Sequence, residues 1–124
     1  MINVALYFIS AAVLIGWGIA HVIPTKKVVD AFGGISVDNK RIITMEWIIE
    51  GTTLIFIGTL ISVVTIVDRF SQGARAAYLV SFAMLNTLSV ISLFTGSRGR
   101  LLPFKLCPLI FSGSSLLILL GLYV

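Results

Sequence analysis

Two glutamates, Glu46 and Glu50, are the only acidic residues within the long apolar runs of the sequence. Because they are four positions apart, a helix would place them on one face, about 6 Å apart along its axis. A carboxylate in bilayer hydrocarbon is costly and normally faces a protein interior or a wet cavity, so it is a functional hypothesis by default. If the hydrocarbon begins near Met45, Glu46 lies at the boundary and Glu50 lies about 7 Å deep. Glu50 is therefore the stronger candidate for chemistry.

One histidine and one cysteine complete the set of reactive side chains. His21 ends the first apolar run, and antiparallel neighbouring helices would bring it to Glu46 and Glu50 at similar depth. We therefore predict Glu50 and His21 as a proton-exchanging, catalytic pair. A single cysteine excludes an internal disulfide and a CxxC relay, so Cys107, next to Pro108, is predicted to be a small apolar filler.

Five further residues are predicted to bind a ligand near the first two spans. Trp17 and Trp47 would form apolar walls, and Glu46 would be an acid at the entrance. Asn86, near mid-membrane, and Arg98, after the third run, complete the set. Structural roles compete with these: packing for Trp17, the interfacial aromatic belt for Trp47, and an interhelical hydrogen bond for Asn86.

Several kinds of site lack support, and we predict no metal site. One histidine and two glutamates could form a facial triad, but ExxxE with a distant histidine is not a specific signature. A single histidine excludes bis-histidine haem ligation within one chain. The chain has no GxSxG elbow and no glycine-rich phosphate loop, so serine catalysis and nucleotide binding are not indicated. The cofactor is left open.

The composition indicates an integral membrane protein. The chain has 124 residues, of which 58% are hydrophobic and 11% are charged, with a mean hydropathy of +1.10. A soluble domain carries roughly 25% charged residues. The apolar residues form runs of about 20, the length that crosses a bilayer core. We predict an all-α, polytopic four-helix membrane bundle, one domain over residues 1–124, with spans at about 4–23, 42–67, 76–95 and 106–124.

The connection between the first two spans is predicted to contain a short helix. Thr25–Phe32 places its apolar residues on one face, which is typical of an amphipathic helix lying at the membrane interface. Gly33-Gly34 would end that helix. Ser36 or Asp38 can cap the helix that follows.

Small residues predict where the spans pack. In the first span, Ala12, Gly16 and Ala20 recur every four positions, the small-xxx-small pattern that lets membrane helices approach closely. We expect this face to contact a neighbouring span. Ser112–Ser115 is expected to be the close-packing surface of the last span.

The net charge of +4 lies in the loops, so it reports membrane orientation rather than nucleic-acid binding. Seven basic residues follow spans one and three: Lys26, Lys27, Lys40, Arg41, Arg98, Arg100 and Lys105. Two follow span two: Arg69 and Arg75. By the positive-inside rule, the first two loops are cytoplasmic and both termini face outward, in the inner (cytoplasmic) membrane. Membrane lipids are therefore predicted partners, and nucleic acid is not.

The segment Glu50–Gly58, EGTTLIFIG, resembles the DoxX-like family of small four-helix bacterial membrane proteins. In that family the second span opens with Glu, then Gly, then an apolar stretch ending in Gly. The segment Gly16–Gly34 fits the family outline of a glycine-containing first span and an amphipathic connection, and the second half is similar in topology alone. The resemblance implies a four-helix bundle associated with redox or quinone-linked complexes, since the family is named from a subunit of a thiosulfate:quinone oxidoreductase. The chain departs from it in having no redox cysteines, and His21 stands where a lysine is expected.

Three functional interpretations remain open, and whether the protein is an enzyme is open with them. The leading one is binding of a quinone-like or lipid-like molecule in a polar pocket between spans one and two, by a redox-complex accessory subunit or a small membrane enzyme. The alternative is a small proton-coupled exporter of cationic compounds, although exporters of this length carry their essential acid in the first span. In the third, Glu50 pairs with His21 or an arginine and only fixes helix register. A homodimer or a partner membrane subunit is compatible with each.

Overall fold

The computed structural model describes all residues from Met1 to Val124, and its regular structure is entirely helical. The helices are α1 (Ile2–Val22), α2 (Thr25–Asp30), α3 (Val37–Asp68), α4 (Gln72–Phe94) and α5 (Leu102–Tyr123), with a 3-10 turn at Gly96–Arg98. Helices α1, α3, α4 and α5 are long and apolar enough to span a membrane. The predicted all-α, multi-pass four-helix bundle is confirmed.

Each spanning helix begins before its predicted span, because hydrogen-bonded turns extend past the apolar residues, and ends within one residue of the predicted boundary. Helix α3 has 32 residues, which makes it about 48 Å long at 1.5 Å per residue, against a hydrocarbon core of about 30 Å. It begins at Val37, before the predicted start at Ile42. The hydroxyl of Ser36 accepts a hydrogen bond from the Asn39 N–H at 3.2 Å and caps this end. Of the two predicted caps, Ser36 is the one observed.

The predicted short helix in the first connection is present as α2. It ends at Asp30, earlier than predicted, and Gly33 follows with φ of +76°, a conformation that favours glycine. Val29 is buried and α2 packs against α3, while Lys26 and Lys27 are exposed. Helix α2 thus covers the α3 side of the bundle at the end where α1 stops.

The four spans pack in the order α3–α1–α5–α4, so α1 and α5 are the central pair. Helix α3 packs extensively on α1 but touches α4 only lightly. All four spans contribute to one apolar core: Leu14, Leu54, Tyr78, Leu85, Phe111 and Ile118. Many other large apolar side chains face outward, among them Ile66, Val80 and Leu109, which fits a surface bathed in lipid. The light contact between α3 and α4 leaves a cleft along that boundary.

Glycines bring the backbones of α1 and α3 together at two levels. A Cβ atom on Gly18 would stand 2.5 Å from the carbonyl oxygen of Gly51. One on Gly58 would stand 2.7 Å from the carbonyl oxygen of Ala11. Such distances are shorter than van der Waals contact, so any larger residue at these positions pushes the two helices apart.

The small-residue face predicted in α1 is wrong. A Cβ atom on Gly16 would meet no atom within 4 Å, and Ala12 and Ala20 are exposed. Gly18 is two residues further on, hence on the opposite side of the helix. Spacing alone does not tell which side of a helix faces its neighbours. In α5 the predicted surface is half right, since Ser114 and Ser115 are buried and Gly113 faces open space.

Candidate functional site

Three reactive side chains from three helices meet at one end of the bundle: His21 of α1, Glu50 of α3 and Cys107 of α5. The His21 Nε2 atom lies 3.7 Å from Glu50 Oε1 and 3.7 Å from Cys107 Sγ. All three potential ligand atoms lie within 4.8 Å of one another. The structure therefore brings the predicted pair together and places Cys107 beside it. Cys107 is buried in the apolar core, as predicted for a small filler, and its sulfur also lies next to the imidazole.

The orientation of the His21 ring is set by two tryptophans. Its Nδ1 lies 3.0 Å from the carbonyl oxygen of Trp17. A carbonyl can only accept, so Nδ1 carries the hydrogen and Nε2 is the ring atom directed toward Glu50 and Cys107. The Trp47 ring stacks on a face of the imidazole, with ring centroids 4.6 Å apart and an angle of 24° between the ring planes. With 2% of its surface exposed, the imidazole is buried and held in one orientation.

The close approach of α1 and α3 explains why Glu50 reaches His21. The next residue, Gly51, lies where a Cβ atom would be 3.0 Å from the Cβ of His21. The absent side chain lets α3 lie close to the last turn of α1, with Glu50 beside the imidazole. The Glu50 side chain is 31% exposed, so it is the member of the cluster with the most access to the surroundings.

Cys107 is placed by the first turns of α5. Its thiol donates to the carbonyl oxygen of Pro103 at 3.4 Å, while the sulfur faces His21. Pro108 follows inside the helix and has no N–H for the carbonyl of Phe104 one turn earlier. The sulfur is therefore buried at a point where the backbone ladder of α5 is interrupted.

A cleft of about 480 Å³ between α3 and α4 reaches this cluster. Glu50 and Cys107 lie in its wall, and His21 lies behind them. The wall is mostly apolar, with contributions from Ile43, Ile49, Met84, Leu88, Ile91 and Phe104. Its other polar groups include Glu46 and the hydroxyls of Thr53 and Ser92. The cleft follows the lightly packed α3–α4 boundary.

The location of the pocket corrects the prediction that it lies between the first two spans. Helices α1 and α3 are closed against each other by Gly18, Gly51 and Gly58, which leave no space between them. The cleft lies on the other side of α3, where no such small residues bring α4 close.

The predicted wall residues fall into two groups. Glu46 and Trp47 line the cleft beside Glu50. Trp17 does not; its ring stands edge-on to His21 with centroids 5.5 Å apart. The Trp17 indole N–H is buried without a hydrogen-bond partner. Trp17 therefore packs against His21 and does not line the cleft.

Asn86 and Arg98 lie apart from the cleft wall. The Asn86 amide donates to the carbonyl oxygen of Phe82 at 2.8 Å within its own helix, so it makes no interhelical hydrogen bond. Arg98 is exposed on the 3-10 turn, with its guanidinium 5.4 Å from the centre of the Phe94 ring. Three of the five predicted ligand-binding residues, Trp17, Asn86 and Arg98, therefore do not line the cleft, whereas Cys107 does. The level of Cys107 in the last span is the signal that could have revealed it.

The cluster can do two kinds of chemistry. At 3.7 Å, Glu50 and a protonated His21 attract each other as charges, but the distance is too long for a direct hydrogen bond. Proton exchange between them needs a closer approach or a bridging group. The nitrogen, oxygen and sulfur donors together are also the kinds of atom that bind transition metals.

A comparison of the chain with protein-family models, with curated proteins and with solved structures found no match. The chain has the four apolar helices of a small multi-pass membrane protein. Its function is therefore argued from the geometry of the cluster and the cleft.

Proposed function

We propose that this membrane protein binds a lipophilic molecule, quinone-like or lipid-like, in the cleft between α3 and α4. The polar head lies at Glu50 and the apolar part follows the two helices. The observation that supports this is a half-buried carboxylate at the inner wall of an otherwise apolar cleft. Its volume of about 480 Å³ falls within the roughly 300–1,000 Å³ of small-molecule sites, which are mostly apolar with a few polar groups.

The residues that line the cleft indicate how a ligand would enter it and how its polar head would be recognised. A lipophile dissolved in the bilayer enters sideways, where α3 and α4 touch only lightly. An ionised Glu50 accepts a hydrogen bond from a hydroxyl head, and a protonated Glu50 donates one to a carbonyl such as that of a quinone. His21, behind Glu50, is the group with which that proton exchanges. A molecule with both an oxygen head and an apolar body fits this arrangement.

The cleft favours this proposal over the two alternatives. A purely structural Glu50 would be closed off against its partner, whereas this side chain is 31% exposed and lines a cleft. An alternating-access exporter binds its substrate near the middle of the membrane. Here the cluster is level with the last turn of α1 and the first turns of α5, close to one membrane face.

Family and orientation form part of the proposal. Each residue of the Glu50-Gly51 pair, which resembles the DoxX-like motif, has a structural role. Glu50 lines the cleft, and Gly51 allows the close approach of α1. The basic loops at the cluster end support a cytoplasmic position for that end in the inner membrane. A redox-complex partner subunit or a second copy would then dock around the bundle, with membrane lipids as its surroundings.

Tryptophan fluorescence tests the proposal, because the chain has only two tryptophans and only Trp47 lines the cleft. In the Trp17→Phe variant, reconstituted in nanodiscs and treated with chelator, emission comes from Trp47 alone. Titration with a short-chain quinone is expected to quench it saturably. Glu50→Gln is expected to weaken the apparent affinity about tenfold, equal to about 1.4 kcal/mol.

A lipid-soluble tryptophan ester in the same nanodiscs is the control for collisional quenching. Linear, non-saturating quenching of Trp47 that matches this control would refute quinone binding. A titration with a fatty acid that restores emission in the presence of quinone would identify the cleft as a site for lipid-like molecules as well.

A further inference from the structure

We infer that the His21–Glu50–Cys107 cluster binds one divalent transition-metal ion, with Zn²⁺ as the ion that its donor set suits. The ion would lie where α1, α3 and α5 meet. The inference does not rest on the proposed lipophile, because it concerns the protein's own donor atoms and holds for an empty cleft.

The separations of the donor atoms are close to those of a zinc site. Zinc bonds of about 2.0–2.1 Å to nitrogen, 2.0–2.2 Å to oxygen and 2.3 Å to sulfur place tetrahedral donors about 3.4–3.6 Å apart. His21 Nε2 lies 3.7 Å from both Glu50 Oε1 and Cys107 Sγ. The remaining pair lies within 4.8 Å, and the half-buried Glu50 side chain has room in the cleft to close that gap.

The imidazole is oriented as a metal ligand. Metal-binding histidines almost always donate the other ring N–H to a carbonyl, carboxylate or water, which fixes the tautomer. The Nδ1–H of His21 donates to the Trp17 carbonyl oxygen at 3.0 Å. The stacked Trp47 ring blocks rotation of the imidazole. The free Nε2 lone pair is thereby directed at the point between Glu50 and Cys107 before any ion arrives.

Charge balance favours a divalent ion at this place. When the ion binds, the Cys107 thiol releases its proton to solvent. The resulting thiolate and the Glu50 carboxylate carry two negative charges, which one divalent cation with a neutral imidazole balances. Neutrality matters because an uncompensated charge is costly in the low-dielectric interior of a membrane protein. No lysine or arginine forms an ion pair with Glu50; its one partner is His21. No fixed cation of the chain therefore competes with a metal ion for the Glu50 carboxylate.

The donor types select the metal. Calcium and magnesium take oxygen ligands, so a site with one thiolate and one imidazole does not suit them. Thiolate with imidazole and carboxylate is a zinc donor set. Three protein ligands leave a fourth position, and Glu50 and Cys107 both belong to the cleft wall. That position faces the cleft, as in zinc sites that keep a water or a substrate rather than in closed structural sites.

The composition makes the test specific, because the chain has one cysteine and one histidine. The protein is purified with an affinity tag that contains no histidine, stripped with chelator, and dialysed against Zn²⁺ without added lipophile. Elemental analysis is expected to find about one zinc per chain. With Co²⁺ as the probe, a thiolate-to-cobalt charge-transfer band can arise only at Cys107. Zn²⁺ is expected to abolish that band by displacement.

Substitutions of the three cluster residues test whether the ion binds at the cluster. Cys107→Ala is expected to remove the charge-transfer band, and His21→Gln and Glu50→Gln are each expected to weaken zinc binding at least about tenfold. Glu46→Gln is the matched control, because Glu46 lines the same cleft one helical turn from Glu50 but lies outside the cluster. It is expected to bind zinc as the unaltered chain does.

Two outcomes would overturn the inference: a folded, unaltered chain that retains well under one zinc after dialysis, or a Cys107→Ala variant that binds zinc and cobalt unchanged. Cys107→Ala is decisive even if His21→Gln fails to fold, because it removes one sulfur and keeps the Trp17 and Trp47 contacts of His21. A negative result for zinc binding is distinguishable from a negative result for lipophile binding. The fluorescence titration uses chelator-treated protein, whereas this experiment contains no lipophile.

Discussion

The indole N–H of Trp47 donates a 2.6 Å hydrogen bond to the main-chain carbonyl oxygen of His21, and the two rings stack. The carbonyls in the last turn of a helix have no donor within the helix, so this bond from α3 satisfies the end of α1. The same side chain thereby holds both the backbone and the imidazole of His21. Trp47 is part of the cleft wall, as predicted, and also the residue that joins α1 to α3 at the cluster.

Replacing Trp47 with phenylalanine is expected to destabilise the protein by about 1–3 kcal/mol, because it leaves the buried His21 carbonyl without its best donor. Reversible unfolding in mixed detergent–SDS micelles measures the change. Trp17→Phe is the matched control, since its buried indole N–H makes no hydrogen bond to a main-chain carbonyl. Equal losses for the two variants would show that ring size, not the hydrogen bond, determines the effect.

Glycine substitutions on the two opposite sides of α1 are expected to differ sharply in their effect on stability. Gly18→Ala adds a Cβ atom 2.5 Å from the Gly51 carbonyl oxygen, so the helices must separate, at a cost of about 1–3 kcal/mol. Gly16→Ala adds the same atom in open space, and the better helix propensity of alanine makes it neutral or stabilising by up to about 1 kcal/mol. Thermal unfolding followed by circular dichroism compares them. A Gly18→Ala variant as stable as Gly16→Ala would contradict the close approach of α1 and α3.

The hydrogen bond between Thr65 and Tyr78 is expected to give a measurable coupling. The Thr65 hydroxyl donates to the Ile61 carbonyl oxygen at 2.6 Å, so it must accept the Tyr78 O–H at 2.8 Å. Thr65→Val orphans a buried phenol and is expected to cost about 1–3 kcal/mol. Tyr78→Phe is expected to cost about 0.5–1.5 kcal/mol and keeps the stack on Tyr7.

The double variant closes the cycle. It is expected to lose less stability than the two single variants together, by about 1 kcal/mol, because one bond cannot be lost twice. Strict additivity in a detergent unfolding assay would mean that the two hydroxyls do not interact in the membrane-embedded protein.

Narrowing the cleft from α4 is expected to weaken ligand binding without unfolding the bundle. Ser92→Phe places a ring in the cleft wall opposite Glu50, so the quinone affinity measured by Trp47 quenching falls at least about tenfold. Val90→Phe adds the same ring on an outward face of α4, where Val90 is 55% exposed, and is expected to leave the affinity unchanged. Unchanged binding in Ser92→Phe would place the quinone elsewhere.

Membrane orientation can be read by cysteine labelling, since Cys107→Ala removes the one native thiol. In that background, Gln72→Cys probes the short turn after α3, while Lys26→Cys and Arg100→Cys probe the two basic connections. A membrane-impermeant maleimide added to intact cells is expected to label only Gln72→Cys, because the positive-inside rule puts the basic connections in the cytoplasm. The reverse pattern would invert the proposed topology and place the cluster at the outer face.

The four spans could be predicted because their apolar runs have the length of a bilayer crossing. The meeting of His21 and Glu50 could be predicted too, since one lies at the end of the first span and the other in the early part of the second. The same argument applies to Cys107, which lies at the same level at the start of the last span. A single cysteine has no spacing pattern that indicates a role in a site, so the sequence predicts Cys107 only as a buried filler.

The position of the cleft could not be predicted, because the spans do not pack in chain order. Helix α1 lies between α3 and α5, and the loosest boundary is between α3 and α4, which are consecutive in the chain apart from a short turn. Periodicity in one helix also does not say which face meets which neighbour, as Gly16 and Gly18 show. The predicted interhelical hydrogen bond of Asn86 is wrong for a local reason, because the side chain bonds instead to a carbonyl one turn earlier in its own helix.

The residues of α1 that contact α5 are far from their partners in the sequence, and this affects how the bundle assembles during synthesis. Ser10 donates to the Ser114 carbonyl oxygen across 104 positions, and His21 meets Cys107 across 86. At roughly 5–20 residues per second, synthesis of the intervening chain takes roughly 4–21 s. During that time the first span can settle only against α3, through the glycine contacts. A ribosome that stops before Leu102 would release three inserted spans that lack a cluster, so the site is complete only when the last helix enters the membrane.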